Sequence, residues 1–319
     1  MSLAFQAEGL VKRYGKTTAL AGINLAVDEG TVLGVLGPNG AGKTTAVRIL
    51  ATLIRPDAGR ATVAGLDVVR DAAKVRRAIG LTGQYASVDE DLTGTENLVL
   101  IGQLLDLRTP QAKVRARELL AEFGLTEAAG RSVKTYSGGM RRRLDLAASL
   151  VGRPRVIFLD EPTTGLDPSK RDDMWTVIRT LVAEGVTVLL TTQYLEEADA
   201  LADQISVFDH GSVIATGTPA QLKQVVGGQT VLVRPVDPAR IPDVTRILEA
   251  VSGRDAESPG QGVVSVPVAG DTEFTEMVRR LSVEDVAVTE LSLRLPSLDD
   301  AFFTLTGQHT GDTDKEDAA

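Results

Sequence analysis

Gly37-Pro38-Asn39-Gly40-Ala41-Gly42-Lys43-Thr44-Thr45 sits between an apolar run, Thr31 to Leu36, and a helical pattern running from Ala46 to Leu53. Glycines at this spacing let the backbone turn until its N–H groups point inward, and the helix that follows adds the positive end of its dipole. The stretch reads as a cradle for phosphate, with Lys43 reaching the β- and γ-phosphates of a nucleoside triphosphate and the Thr44 hydroxyl on Mg²⁺. A glycine-rich loop with a chance lysine is the bland alternative, and it leaves the strand-loop-helix placement unexplained. A second reactive stretch is Val156-Ile157-Phe158-Leu159-Asp160-Glu161, an apolar strand ending in two adjacent carboxylates. Successive strand residues face opposite ways, so the two need not share a task. Asp160 suits an outer ligand of Mg²⁺. Glu161 suits polarising a water for in-line attack on the γ-phosphate. A charged turn before Pro162 is the competing reading.

Further polar groups fall at element ends. Gln84 closes the apolar run 78–83 and is placed to sense Mg²⁺ and the γ-phosphate; a polar strand end is also ordinary. The run Val186 to Thr191 ends at Thr192-Gln193, where Gln193 either donates to phosphate or simply terminates a strand. Ser137-Gly138-Gly139 opens a helix carrying Met140, Leu144, Ala147, Ala148 and Val151 at core-facing spacing, which makes either a plain N-cap or a second anion site. Arg141, Arg142 and Arg143 stand in the first turn of that helix, where the dipole favours acidic side chains. They read equally as a solvated face or as partners of something negative. Asp167 caps, and Pro168 starts, the helix running to Ala183. Tyr14, on a turn beside the cradle, is a platform for an adenine ring or an ordinary strand-end tyrosine.

The elements needed to position these groups follow the chain. Ala4 to Val27 alternates around the turn Tyr14-Gly15-Lys16 as a β-rich edge. Arg55 to Gly59 reads as a turn and Arg60 to Val68 as short strands. Leu92 to Val151 is helical, with Thr109-Pro110 as cap and first-turn proline and Gly124 as a stop. Leu195 to Asp203 is helical, Gln204 to Asp209 a strand, and His210-Gly211 a hairpin turn. Near Gly227-Gly228 the composition changes. Thr230–Val233, Val263–Val268 and Val286–Leu293 read as strands, Pro242–Val251 and Thr272–Leu281 as helices, and Leu298–Leu305 as a short terminal helix. The expected organisation is an α/β core over 1–227 with a helical subdomain at about 86–152. A small α+β domain over 228–307 and a disordered acidic tail over 308–319 complete it.

With 319 residues, 43% of them hydrophobic, the chain can bury more than one core. Its apolar runs fall well short of the roughly 20 residues of a membrane helix. No cysteine is present, which excludes disulfides and thiolate metal sites, and His210 and His309 are the only histidines. The net charge of −9 disfavours nucleic acid and anionic lipid as direct partners. No signal-peptide pattern is visible, and a cytosolic location is expected.

In this company the sequence resembles the ATP-binding subunits of ABC transporters over roughly residues 4–225. Gly37 to Thr45 is similar to Walker A, Gln84 to the Q-loop, Ser137-Gly138-Gly139-Met140 to the signature, Asp160 and Glu161 to Walker B with its catalytic glutamate, and Gly165-Leu166-Asp167 to the D-loop. Tyr14 falls at the adenine-stacking aromatic. More narrowly, residues 82–94, 191–199 and 298–303, together with the C-terminal extension, resemble the daunorubicin-resistance type of drug-export ATPase.

The resemblance implies a P-loop ABC ATPase core with helical subdomain and β-rich edge, binding ATP and Mg²⁺ and hydrolysing ATP. Lys43, Glu161 and Gln193 would be its catalytic groups. It also implies a head-to-tail dimer with ATP sandwiched between two copies, a separate transmembrane permease, a place on the cytoplasmic side of the membrane, and efflux of a drug, antibiotic or lipid-like compound. Two positions depart from the general family pattern. Met140 replaces glutamine. Gln193 replaces histidine, which keeps a donor but loses positive charge at the γ-phosphate, so transition-state stabilisation should be weaker and less dependent on pH. A soluble ABC-type mechanical or regulatory switch is the rival reading. It usually requires a long coiled coil or a second motif set, and neither is visible. A P-loop kinase would leave Ser137-Gly138-Gly139 and Gly165-Leu166-Asp167 without a role.

Overall fold

A computed structural model describes residues 2–83, 88–225, 229–260, 262–294 and 297–306. Contacts divide the chain into two compact units, one ending at Pro219 and one beginning at Ala220.

In the first unit, β1 (Leu3–Tyr14) and β2 (Thr17–Asp28) form the expected hairpin, followed by β3 (Val32–Leu36) and α1 (Lys43–Leu50). Next come β4 (Ala58–Val63), β5 (Leu66–Asp67), α2 (Ala72–Ala78) and β6 (Ile79–Thr82). Three helices follow, α3 (Gly94–Leu104), α4 (Thr109–Glu122) and α5 (Gly138–Ser149). The unit continues with β7 (Val156–Asp160), α6 (Pro168–Ala183), β8 (Thr187–Thr192), α7 (Leu195–Leu201), β9 (Gln204–Asp209) and β10 (Ser212–Gly217). Helix α8 (Pro219–Val225) spans the division between the units.

Strands β2-β1-β4-β5 make an antiparallel sheet, and a second sheet has the order β10-β9-β3-β8-β7-β6. In that second sheet β9, β3, β8, β7 and β6 run parallel, and β10 pairs antiparallel at one edge. All five residues of β3 and of β7, and all six of β8, are buried. Such near-continuous apolar runs are expected of parallel strands covered on both faces. Phe5 of β1 meets Phe158 of β7 edge to face, ring centroids 5.8 Å apart, which joins the antiparallel sheet to the central one.

The parallel ladder levels the strand ends. Leu36 pairs with Thr192, and Asp160 with Thr191. The cradle, the carboxylate pair and the turn bearing Gln193 therefore emerge together at the carboxyl edge, where α/β sheets bind ligands. Helices α3, α4 and α5 pack on one another, and Leu98, Ala112, Ala116, Leu119 and Leu144 on them are fully buried.

The second unit contains β11 (Gln229–Pro235), α9 (Ile241–Ser252), β12 (Glu257–Gly260), β13 (Val263–Val268), α10 (Asp271–Val283), β14 (Val288–Arg294) and α11 (Leu298–Thr306). Its antiparallel order β12-β13-β11-β14 with two crossing helices is the ferredoxin-like βαββαβ arrangement. Val231, Val233, Val264 and Val266 pack with Val244, Ile247, Leu248 and Met277 to form its core.

Several local expectations are corrected. Helix α1 begins at Lys43, not Ala46, and ends at Leu50, since Thr52 takes φ 63° and Leu53 is left in solvent. Ala58 and Gly59 belong to β4 and not to a turn. The N-cap of α4 is Arg108, which places Pro110 second in the helix. Val151 is buried but lies beyond the end of α5. Strand β14 starts at Val288, two residues later than expected. Helices α2 and α8 and strand β12 were not foreseen.

Candidate functional site

The cradle loop is shaped by its glycines where the backbone requires them. Gly42 has φ 104°, and a Cβ there would lie 2.5 Å from the Ala19 carbonyl oxygen; one on Gly37 would collide with the Phe208 carbonyl. The loop is thus seated between β2 and the end of β9, and larger residues would lift it off. Lys43 is buried and donates to the carbonyls of Gly37 at 2.6 Å and Pro38 at 3.1 Å, so its ammonium is held inside the loop's own curve. Burial lowers its pKa, opposed by the nearby Glu161 and Asp160 carboxylates.

Across from the loop, Asp160 Oδ1 accepts from Thr191 Oγ1 at 2.5 Å and from Thr44 Oγ1 at 3.3 Å. A hydroxyl and a carboxylate facing each other in this way present the hard oxygen donors that suit Mg²⁺. Lys43 beside them supplies the charge a phosphate requires. Glu161, in the left-handed region at φ 51°, donates its N–H to the Thr191 carbonyl at 3.0 Å and to Thr191 Oγ1 at 3.1 Å. Ala19, residues 38–45 and Glu161 line one cavity of about 170 Å³. That is below the roughly 300 Å³ at which enclosed small-molecule pockets begin, as expected of a dish open on one side. A larger concavity of about 730 Å³ lies around Leu105, Pro110, Val114 and Val151, away from these groups.

The other candidate residues fall outside the cavity lining. Ser137 caps α5, its Oγ accepting from the Met140 N–H at 3.3 Å, and Ser137 and Gly138 are exposed. Asp167 caps α6, accepting from the Lys170 N–H at 3.0 Å and pairing with the Lys170 ammonium. The Lys170 chain also covers Gly139, which brings the two caps together. Tyr14 is 48% exposed at the hairpin tip, near the Lys12 ammonium. Gln193 is exposed between β8 and α7. The turn that carries it is fixed by Tyr194, whose N–H donates to Thr192 Oγ1 and whose ring lies 4.8 Å from the Arg171 guanidinium. Gln84 lies outside the described residues, as does 308–319.

Each arginine of the run has a partner, although Arg141 Nε is buried without a hydrogen bond. Arg141 pairs with Glu90 at 2.7 Å, and Arg143 donates to the Phe123 carbonyl at 3.2 Å. Arg142 reaches the carbonyls beside the carboxylate pair. Sequence reasoning registered the misfit of these charges with the helix dipole but not their partners. Glu197 was missed as well. It is fully buried on α7 and accepts from the Trp175 indole at 3.3 Å, and burial raises its pKa. One acidic residue among apolar ones on a helix face was its only signal.

A strand-loop-helix phosphate cradle at the carboxyl edge of a parallel sheet, facing a strand that ends in Asp-Glu, defines a P-loop nucleotide-binding cassette. A model described as "ABC transporter" matches residues 20–164. The chain is similar to the daunorubicin resistance ATP-binding protein DrrA2 of Streptomyces coeruleorubidus, 55% identical over 99% of each chain. It is 45% identical to the doxorubicin resistance ATP-binding protein DrrA of Mycobacterium tuberculosis H37Rv, over 97% of this chain and 95% of the other. Among solved structures, a dimeric post-hydrolysis ATP-binding cassette bound to ADP and Pi superposes with a TM-score of 0.62 at 25% identity, covering 67% of this chain and 98% of that one. The chain belongs to the ABC transporter ATP-binding proteins, in the daunorubicin-resistance group.

Proposed function

We propose that this chain is the ATP-hydrolysing subunit of a multisubunit exporter, working from the cytoplasmic side of the membrane with a separate permease to expel a drug, antibiotic or lipid-like compound. The observation that carries the catalytic part is Thr44 facing Asp160 at 3.3 Å across a cradle whose rim includes Glu161. In this reading residues 37–45 receive the phosphates, Lys43 exchanges its loop carbonyls for β- and γ-oxygens, and Tyr14 stacks on adenine. Thr44, Asp160 and Gln84 would hold Mg²⁺, which when bound neutralises charge between those oxygens. Glu161 orients and polarises the attacking water, and Gln193 donates to the γ-phosphate. Ser137, Gly138 and Asp167 are exposed in one chain, and Gly139 lies beside them under the Lys170 chain. We assign them to the nucleotide of a second copy, packed head to tail.

We assign the membrane-spanning part to another chain; among the described residues no helix is long and apolar enough to cross a membrane. We assign residues 228–307 to assembly with that partner. The test is co-expression with the product of a neighbouring reading frame that encodes about six apolar spans. Expected are co-purification that is lost when 230–319 are removed, and ATP turnover stimulated by a daunorubicin-like drug. Turnover by a chain that co-purifies with no membrane protein and ignores every drug tried would instead support a soluble switch.

A further inference from the structure

We propose that Arg142 is a positioning residue for ATP hydrolysis: its guanidinium, reaching from the helix opened by Ser137-Gly138-Gly139, fixes the backbone on which Glu161 stands. Its Nε donates to the Pro162 carbonyl at 2.7 Å, and its Nη2 to the carbonyls of Glu161 at 2.7 Å and Asp160 at 3.4 Å. Its Nη1 donates to the Gly83 carbonyl at 3.0 Å and lies 3.8 Å from Asp145 Oδ2. One planar fork thus spans the end of β7, the turn after it and the end of β6. A lysine, with a point charge in place of a rigid fork, cannot reproduce that span.

Glu161 requires such a clamp. A non-glycine residue at positive φ persists only where its surroundings over-determine it. Thr191 holds the N–H side of Glu161 through two oxygens, and Arg142 holds the carbonyl side. Without the arginine the carbonyls of Asp160, Glu161 and Pro162 lose their shared donor, and the Glu161 carboxylate, which accepts only a long hydrogen bond of 3.4 Å from Thr164 Oγ1, can swing with its peptide plane. Arg142 lies five residues beyond Ser137 on the same helix, about 7.5 Å along its axis at 1.5 Å per residue. A shift of the Ser-Gly-Gly turn is therefore transmitted to the acid pair of the same chain. The partners of Arg142 all lie outside residues 37–45, so its removal should spare nucleotide binding.

The test uses the full chain and compares wild type with Arg142→Lys and Arg142→Gln, measuring kcat, KM and the affinity for a fluorescent ATP analogue. A misplacement of about 1 Å costs on the order of 100-fold in rate, so kcat is expected to fall about ten- to hundredfold, with KM and analogue affinity within about threefold of wild type. In Arg142→Ala, millimolar guanidinium ion should restore part of the lost kcat, which a general loosening of the fold would not allow. An unchanged kcat in both the Lys and Gln variants, or a loss of affinity equal to the loss of kcat, overturns the proposal. The inference rests on the ATP-hydrolysis reading, and the wild-type control separates the two. Absence of wild-type turnover sinks that reading, whereas wild-type turnover matched by the variants sinks this one.

Discussion

At the scale of single residues, the chemistry concentrates on a few atoms at the carboxyl edge of the central sheet. Asp160 and Glu161 are adjacent yet differently held. The Asp160 carboxylate is locked by two threonine hydroxyls, while Glu161 is fixed chiefly through its backbone, its carboxylate accepting from Thr164 Oγ1 at 3.4 Å. That division suits one group that holds an ion and one that works on water. In the proposed reading Gln193 is the weak member, because a neutral amide would stabilise charge building on a γ-phosphate less than an imidazolium does. Gln193→His should raise turnover at saturating Mg-ATP and introduce a pH dependence near 6.5, the ordinary histidine pKa. Equal or lower turnover, measured from pH 6 to 8, would remove charge at this position as the limit.

At the scale of elements, α6 and α7 are joined under the Gln193 turn by Glu197 and Trp175. Burial lifts the Glu197 carboxyl above its usual 4.5. A raised folded-state value means a stability contribution that is present below the unfolded pKa and lost as pH rises through the folded one. Glu197→Gln removes this dependence while keeping an oxygen for the indole. The melting temperature of the variant minus that of wild type should therefore grow as pH rises from about 4.5. A difference that stays flat from pH 4.5 to 8 would contradict the assignment.

The elements also show where sequence reading stops. The cradle was legible because strand, glycine spacing and helix follow one another without interruption from Val32 to Leu50. Helix α2 was not, because Ala72–Ala78 buries only Val75 and leaves no apolar stripe to detect. The work of Arg142 was hidden for a different reason. Its partners are backbone carbonyls 18 to 20 residues away and one 59 residues away, and carbonyls carry no residue-type signal. Lys43 donates to the carbonyls of its own loop, which a phosphate would have to replace as acceptors. Local hydrogen-bond competition of that kind does not appear in a motif.

At the scale of the whole molecule, one chain carries a full set of motifs but only a shallow dish for the nucleotide. Ser137, Gly138 and Asp167 stand in solvent away from the cradle lining, and a second copy would bring equivalents of them to it. Closure on ATP and release after hydrolysis would then be one event, with Glu161 as its timer. The most direct test is light scattering of Glu161→Gln, which should bind Mg-ATP without consuming it. With Mg-ATP the mass should double from the 33.8 kDa of one chain and return to that value with ADP. A second substitution, Ser137→Arg, should prevent the doubling while ATP still binds. A Glu161→Gln chain that stays monomeric with ATP bound would contradict the shared site.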